Sequence, residues 1–74
     1  MMELWELWDE LPEKIIEVDE GYRLTVEKYT GFTSVAYRPF NNAPEYYLHS
    51  ESADTLYEAL YKMWLWWQDY EVKK

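Results

Sequence analysis

At 74 residues and 9.2 kDa the chain makes one domain, residues 1–74, near the size at which a single core only just offsets chain entropy. The absence of cysteine excludes a disulfide framework and a thiolate metal site. A formal net charge of −8 argues against direct nucleic-acid binding, because phosphate affinity depends on clustered Lys and Arg that this chain does not possess.

Five Trp, eight Tyr and two Phe help supply the burial that so short a chain otherwise lacks, since each ring covers about 150 to 250 Å². The acidity is concentrated at the start. Residues 1–20 hold eight acids against Lys14, a net of −7, whereas residues 21–74 hold seven acids and six bases, a net of −1. Acids scattered through Met1 to Leu11 are unlike a signal peptide, and no apolar run approaches the ~20 residues of a membrane span. A cytoplasmic protein without a membrane partner is the expectation.

The first expected element is a short helix, about Glu3 to Leu11, with Leu4, Leu7, Trp8 and Leu11 on one face and Glu3, Glu6 and Glu10 on the other. Pro12 should end it or force a new turn, for want of an amide to donate. Trp5 sits off the apolar stripe, either covering the C-terminal helix or exposed as an anchor for a partner. Lys14 to Asp19 is rich in β-branched residues and reads as a short strand, followed by a turn at Asp19-Glu20-Gly21.

Tyr22 to Tyr29 and Phe32 to Pro39 form a hairpin through Thr30-Gly31. A two-residue loop pairs Tyr29 with Phe32, Val26 with Val35 and Leu24 with Tyr37, which collects the mid-strand apolar residues on one face. The opposite face carries Arg23, Thr25, Glu27, Ser34, Ala36 and Arg38. Asn41 to Pro44 is a loop by composition, and Glu45 to Ser50 reads as a last strand.

Ser52 to Tyr70 has the longest helical pattern. Thr55 and Glu58 fit a capping box, with Ser52 and Asp54 as other candidate caps. Leu56, Ala59, Leu60, Met63, Trp67 and Tyr70 share a core stripe, while Tyr57, Tyr61, Trp64 and Leu65 lie off it. So narrow a polar arc implies protein on more than one side, either the N-terminal helix or another molecule. The expected architecture is α+β: an antiparallel sheet of three or four strands, a long C-terminal helix packed on one face, and a short N-terminal helix.

No catalytic or metal motif is present: EF-hand spacing, HExxH, GxGxxG and the P-loop are all missing, and no cofactor is implied. His49 is the only histidine, and alternation along a strand turns it away from Ser50, so a nucleophile and base do not meet. Arg23 and Arg38 are neighbours across the hairpin and suit an anion, although pairing with Glu27 is the commoner fate of such arginines. The acidic segment is the feature with most functional content. Glu3, Glu6 and Glu10, with Asp9 and Glu13, form a negative surface able to occupy a basic groove on another protein, with Trp5, Tyr61 and Leu65 as apolar anchors. The plainer reading is a solvated helix face that keeps an aromatic-rich protein soluble.

A strand followed by Ser-Ala-Asp-Thr-Leu-Tyr-Glu-Ala-Leu-Tyr-Lys-Met-Trp-Leu resembles the strand and Thr-x-x-x-Ala-Leu helix that end many small phage and prophage proteins of the phage α-β-α sandwich type. The resemblance covers about Tyr46 to Trp67. It implies a phage or mobile-element origin and no enzymatic activity, and it transfers no site residues. Small acidic phage proteins are often inhibitors of host nucleic-acid-handling or defence proteins, anti-CRISPR proteins and DNA mimics among them. A non-enzymatic interaction module that binds a host protein with a basic surface is therefore the expectation; a phage accessory protein forming a homodimer through the second aromatic face of the helix is the alternative.

Overall fold

The computed structural model describes residues 2–17, 20–41 and 47–73. The elements are α1 (Leu4–Glu10), β1 (Lys14–Ile16), β2 (Gly21–Tyr29), β3 (Phe32–Pro39), β4 (His49–Ala53) and α2 (Leu56–Lys73). The strands form one antiparallel sheet in the order β1-β2-β3-β4, so the chain is α+β with a helix at either end.

Local chemistry sets the boundaries. Leu11 adopts an extended backbone at φ −81 and ψ 129, as expected of the residue before Pro12, and its amide closes the last turn of α1 on the Leu7 carbonyl. Thr30-Gly31 turns the chain between β2 and β3, with Gly31 at φ 90, a conformation that side chains other than hydrogen oppose. The hairpin register is Tyr29↔Phe32, Val26↔Val35 and Leu24↔Tyr37, as the alternation predicts. β1 pairs Ile15 with Tyr22 and stops at Ile16, short of the expected Glu17, whose amide turns to the Glu20 carbonyl; Val18 and Asp19, also expected in it, lie outside the described residues.

The last strand is displaced from its expected place. It runs His49–Ala53 rather than Glu45 to Ser50, whereas α2 begins at Leu56, directly after the expected cap Thr55; Glu45 and Tyr46, like most of the expected loop before them, lie outside the described residues. β4 pairs His49 with Tyr37, Glu51 with Val35 and Ala53 with Thr33, which puts those three on the helix side of the sheet and Ser50 and Ser52 on the other. Thr55 Oγ1 then accepts from the Glu58 amide at 3.2 Å and caps α2, leaving Ser52 within the strand.

The core lies between the sheet and the two helices. Leu7 and Leu11 meet Ile15, Tyr22, Val35 and Tyr37 of the sheet and Ala59, Leu60 and Met63 of α2. The Tyr37 hydroxyl donates to the Pro12 carbonyl at 2.7 Å, fastening the end of α1 over β3. Trp66, which the expected stripe omits, sits about 60° from Met63 around the helix and touches the rings of Tyr37, His49, Trp67 and Tyr70. One flank of α2 therefore faces β4, where Lys62 Nζ also donates to the Ser52 carbonyl at 3.1 Å. The other flank faces α1.

Candidate partner-binding site

The contact between the helices decides which acidic side chains have work inside the molecule. On α2 the Tyr57 hydroxyl donates to the Met2 carbonyl, and the Trp64 indole donates through Nε1 to Glu10 Oε1 at 2.8 Å. Glu6 folds back so that its Oε1 accepts from the Glu3 amide at 2.8 Å, satisfying a donor that the first turn of α1 leaves open. Glu6 and Glu10 are thus occupied locally. Asp9 and Glu13 instead line one hollow with Trp8, Leu11, Pro12 and Leu24, of about 530 Å³. Among the described residues no lysine or arginine forms an ion pair with Glu3, Glu6, Asp9, Glu10 or Glu13.

The apolar side of α1 is only half used. Leu7 and Leu11 enter the core, but Trp5 is 66% exposed and Trp8, expected to share the core face, is 51% exposed. At 100° per residue Leu4 and Trp8 lie about 60° and 100° from Leu7 on the same side of it, away from the line along which Leu7 enters the core. Another hollow, of about 360 Å³ and wholly apolar, lies between the helices and is lined by Leu4, Trp5, Trp8, Leu56 and Leu60. Trp8 forms the wall common to both hollows.

Tyr61 and Leu65 stand apart from these. They are 42% and 49% exposed on the outer side of α2, with the Tyr61 ring stacked 6.0 Å from Trp64. The α1 contacts of Tyr57 and Trp64 cover the neighbouring part of that flank, so the second aromatic group is divided between an intramolecular contact and solvent.

Other polar groupings are satisfied within the fold. His49 and Glu51, two apart on β4, meet at 2.6 Å between Nε2 and Oε2, and the imidazole lies flat on Trp66 at 4.5 Å with 4° between planes. On the opposite face of the sheet, Arg38 pairs with Glu27 rather than leaving an anion site. Since Arg38 stands opposite Arg23, its side chain must cross Thr25 and Ala36 to reach Glu27, and Ala36 is buried accordingly. Tyr47 lies over the guanidinium at 5.3 Å from ring centre. This Arg38 bond, and then one from Tyr29, hold the Glu27 carboxyl below the usual carboxylate range; the same Glu27 contact pushes the Tyr29 hydroxyl up. Among the described residues no three His, Cys, Asp or Glu side chains gather as for a metal ion. Among the described residues no helix is long and apolar enough to cross a membrane.

No protein-family model, curated protein or solved structure matches the chain.

Sequence periodicity points to Trp5 and the acids as a contact surface and places Trp8 and Leu4 on the core face. The available signal is angular: Trp8 lies about 100° from Leu7 around the helix, at the edge of the stripe on the Trp5 side.

Proposed function

We propose that this chain is a non-enzymatic interaction protein that docks on a basic surface of another protein through its N-terminal segment. The observation that carries this reading is the coincidence of unneutralised acids with exposed indoles: Asp9 and Glu13 have no ion-pair partner among the described residues, and Trp5 and Trp8 stand beside them half uncovered. Exposed Trp on a rigid helix supplies desolvated contact area at small entropic cost, and surrounding carboxylates steer a cationic partner and set its orientation. The resemblance of the C-terminal strand and helix to small phage proteins favours a host nucleic-acid-handling or defence protein as the partner class, blocked in the manner of an anti-CRISPR protein or a DNA mimic. The second reading, a homodimer through Tyr61 and Leu65, draws support from their exposure.

The test is affinity capture from bacterial lysate with mass spectrometry at low and high salt, using the wild type and Asp9→Lys/Glu13→Lys. Proteins with basic surfaces should be retained by the wild type at low salt and lost in the variant and at high salt, where the Debye length shrinks to about 3 Å at 1 M. Capture indifferent to both changes would end the reading. Concentration-dependent sedimentation abolished by Leu65→Glu, with no salt-sensitive partner, would favour the dimer instead.

A further inference from the structure

Resting on that reading, we infer that the occupant of the two hollows beside Trp8 is a basic amphipathic helix of the partner, placing an apolar side chain in one and an arginine in the other. The first hollow lies in the groove between α1 and α2 and is lined by carbon alone: Leu4, Trp5, Trp8, Leu56 and Leu60. A third helix laid in such a groove buries its apolar face against two helices at once. The second hollow keeps an apolar floor at Leu11 and Leu24 but has Asp9 and Glu13 at its rim. It suits a side chain with a long apolar stem and a cationic head.

Trp8 lines both hollows, so the two incoming side chains must be neighbours. On a helix that means positions three or four apart, where Cβ atoms are about 5 to 6 Å from one another. Arginine fits the second hollow better than lysine, because a guanidinium stacks on the Trp8 indole while forking to a carboxylate, and an ammonium does only the second.

Charge selects among occupants. A second copy of this chain would bring residues 1–20, net −7, against the same segment. An anionic lipid surface would be repelled in the same way. A cationic helix meets carboxylates that no described lysine or arginine of the chain neutralises.

The experiment uses three Trp-free helical peptides titrated into the ¹⁵N-labelled protein at low salt: one with Leu and Arg three or four positions apart, one with those Leu changed to Ala, and one with Arg changed to Lys. Indole N–H and amide shifts locate and quantify binding. The Leu/Arg peptide should move Trp5, Trp8, Leu24 and Leu60 saturably while leaving Trp66 in place. Asp9→Asn/Glu13→Gln and the Ala peptide should each weaken binding about tenfold, and the Lys peptide by a smaller factor, as expected for loss of one anchor of a two-part contact.

Equal binding of the Leu and Ala peptides would overturn the inference while leaving a purely electrostatic docking reading intact. Shifts centred on Tyr29, Phe32 or Arg38 would overturn it by placing the contact on the opposite sheet face. No binding by any basic peptide would count against both readings. Trp8→Ala should abolish discrimination between the peptides; because the peptide series is read on the unaltered protein, misfolding of that variant leaves the inference open to refutation.

Discussion

The Trp64 indole and the Glu10 carboxylate meet at 2.8 Å across 54 residues of chain, and with the Tyr57 to Met2 bond they hold α1 beside α2. Glu10 is therefore a bracket between the two ends of the protein. Replacing it by Ala should cost about 1 kcal/mol, the usual net worth of one such bond. Glu10→Gln keeps an acceptor oxygen and should restore most of that. The check is chemical denaturation of the two variants; equal losses would show that the oxygen is not being used.

Thr55→Ala removes the oxygen that receives the Glu58 amide and should also cost about 1 kcal/mol. In a domain of this size that lowers the melting temperature by about 4 to 8 °C. Thr55→Ser should recover it, whereas Ser52→Ala, in β4, should leave the helix cap intact. Circular dichroism melts separate these outcomes.

Alkaline pH should loosen the fold. Burial pushes the Tyr37 hydroxyl well above its ordinary value of 10.0, and burial, followed by a bond to Glu17, pushes Tyr70 up to about 12. The folded chain keeps protons that the unfolded chain releases near pH 10, so stability is whole below that pH and declines above it, continuing as pH rises toward the folded values. For fully buried Tyr37 the limiting slope is about 1.4 kcal/mol per pH unit. Denaturation midpoints between pH 9 and 11 should fall in the wild type and fall less steeply in Tyr37→Phe. That variant should start from lower stability at neutral pH, having lost the bond to Pro12.

The Glu27 carboxyl, held down chiefly by Arg38, makes the opposite prediction at acid pH. Its contribution is present above the ordinary carboxylate value of 4.5 and is lost as pH falls through the lower folded value. In Arg38→Ala its NMR titration midpoint should move back up toward 4.5, and the Ala36 methyl, no longer covered, should become accessible to solvent. A midpoint unchanged by the substitution would contradict the pairing.

Parts of this fold were readable because one local rule sufficed. Thr30-Gly31 between two alternating runs sets the register of β2 and β3 residue by residue, and Thr55 with the stripe through Leu60 and Met63 locates α2. β4 was not readable: His-Ser-Glu-Ser-Ala has no apolar alternation, and the strand exists because β3 offers Tyr37, Val35 and Thr33 for pairing and Trp66 offers a surface for His49. The candidate site divides similarly. The local concentration of acid is plain in residues 1–20, but which acids are occupied depends on Glu10 meeting Trp64, 54 positions away. Periodicity places Trp8 inward, a rule that assumes protein along the whole apolar stripe; α1 meets the sheet and α2 through Leu7 and Leu11, which leaves the Leu4 and Trp8 side of the stripe partly open.

Two paired charge reversals test the division between structural and binding acids most directly: Asp9→Lys/Glu13→Lys against Glu6→Lys/Glu10→Lys, each measured for melting temperature and for binding of the Leu/Arg peptide. The first pair should melt at or above the wild type, since it relieves repulsion in a segment of net −7, and should lose the peptide. The second pair should melt lower, having lost the bonds to Glu3 and Trp64. If the first pair melts lower while the second does not, or if the first pair binds the peptide as the wild type does, the assignment of Asp9 and Glu13 to a partner is wrong.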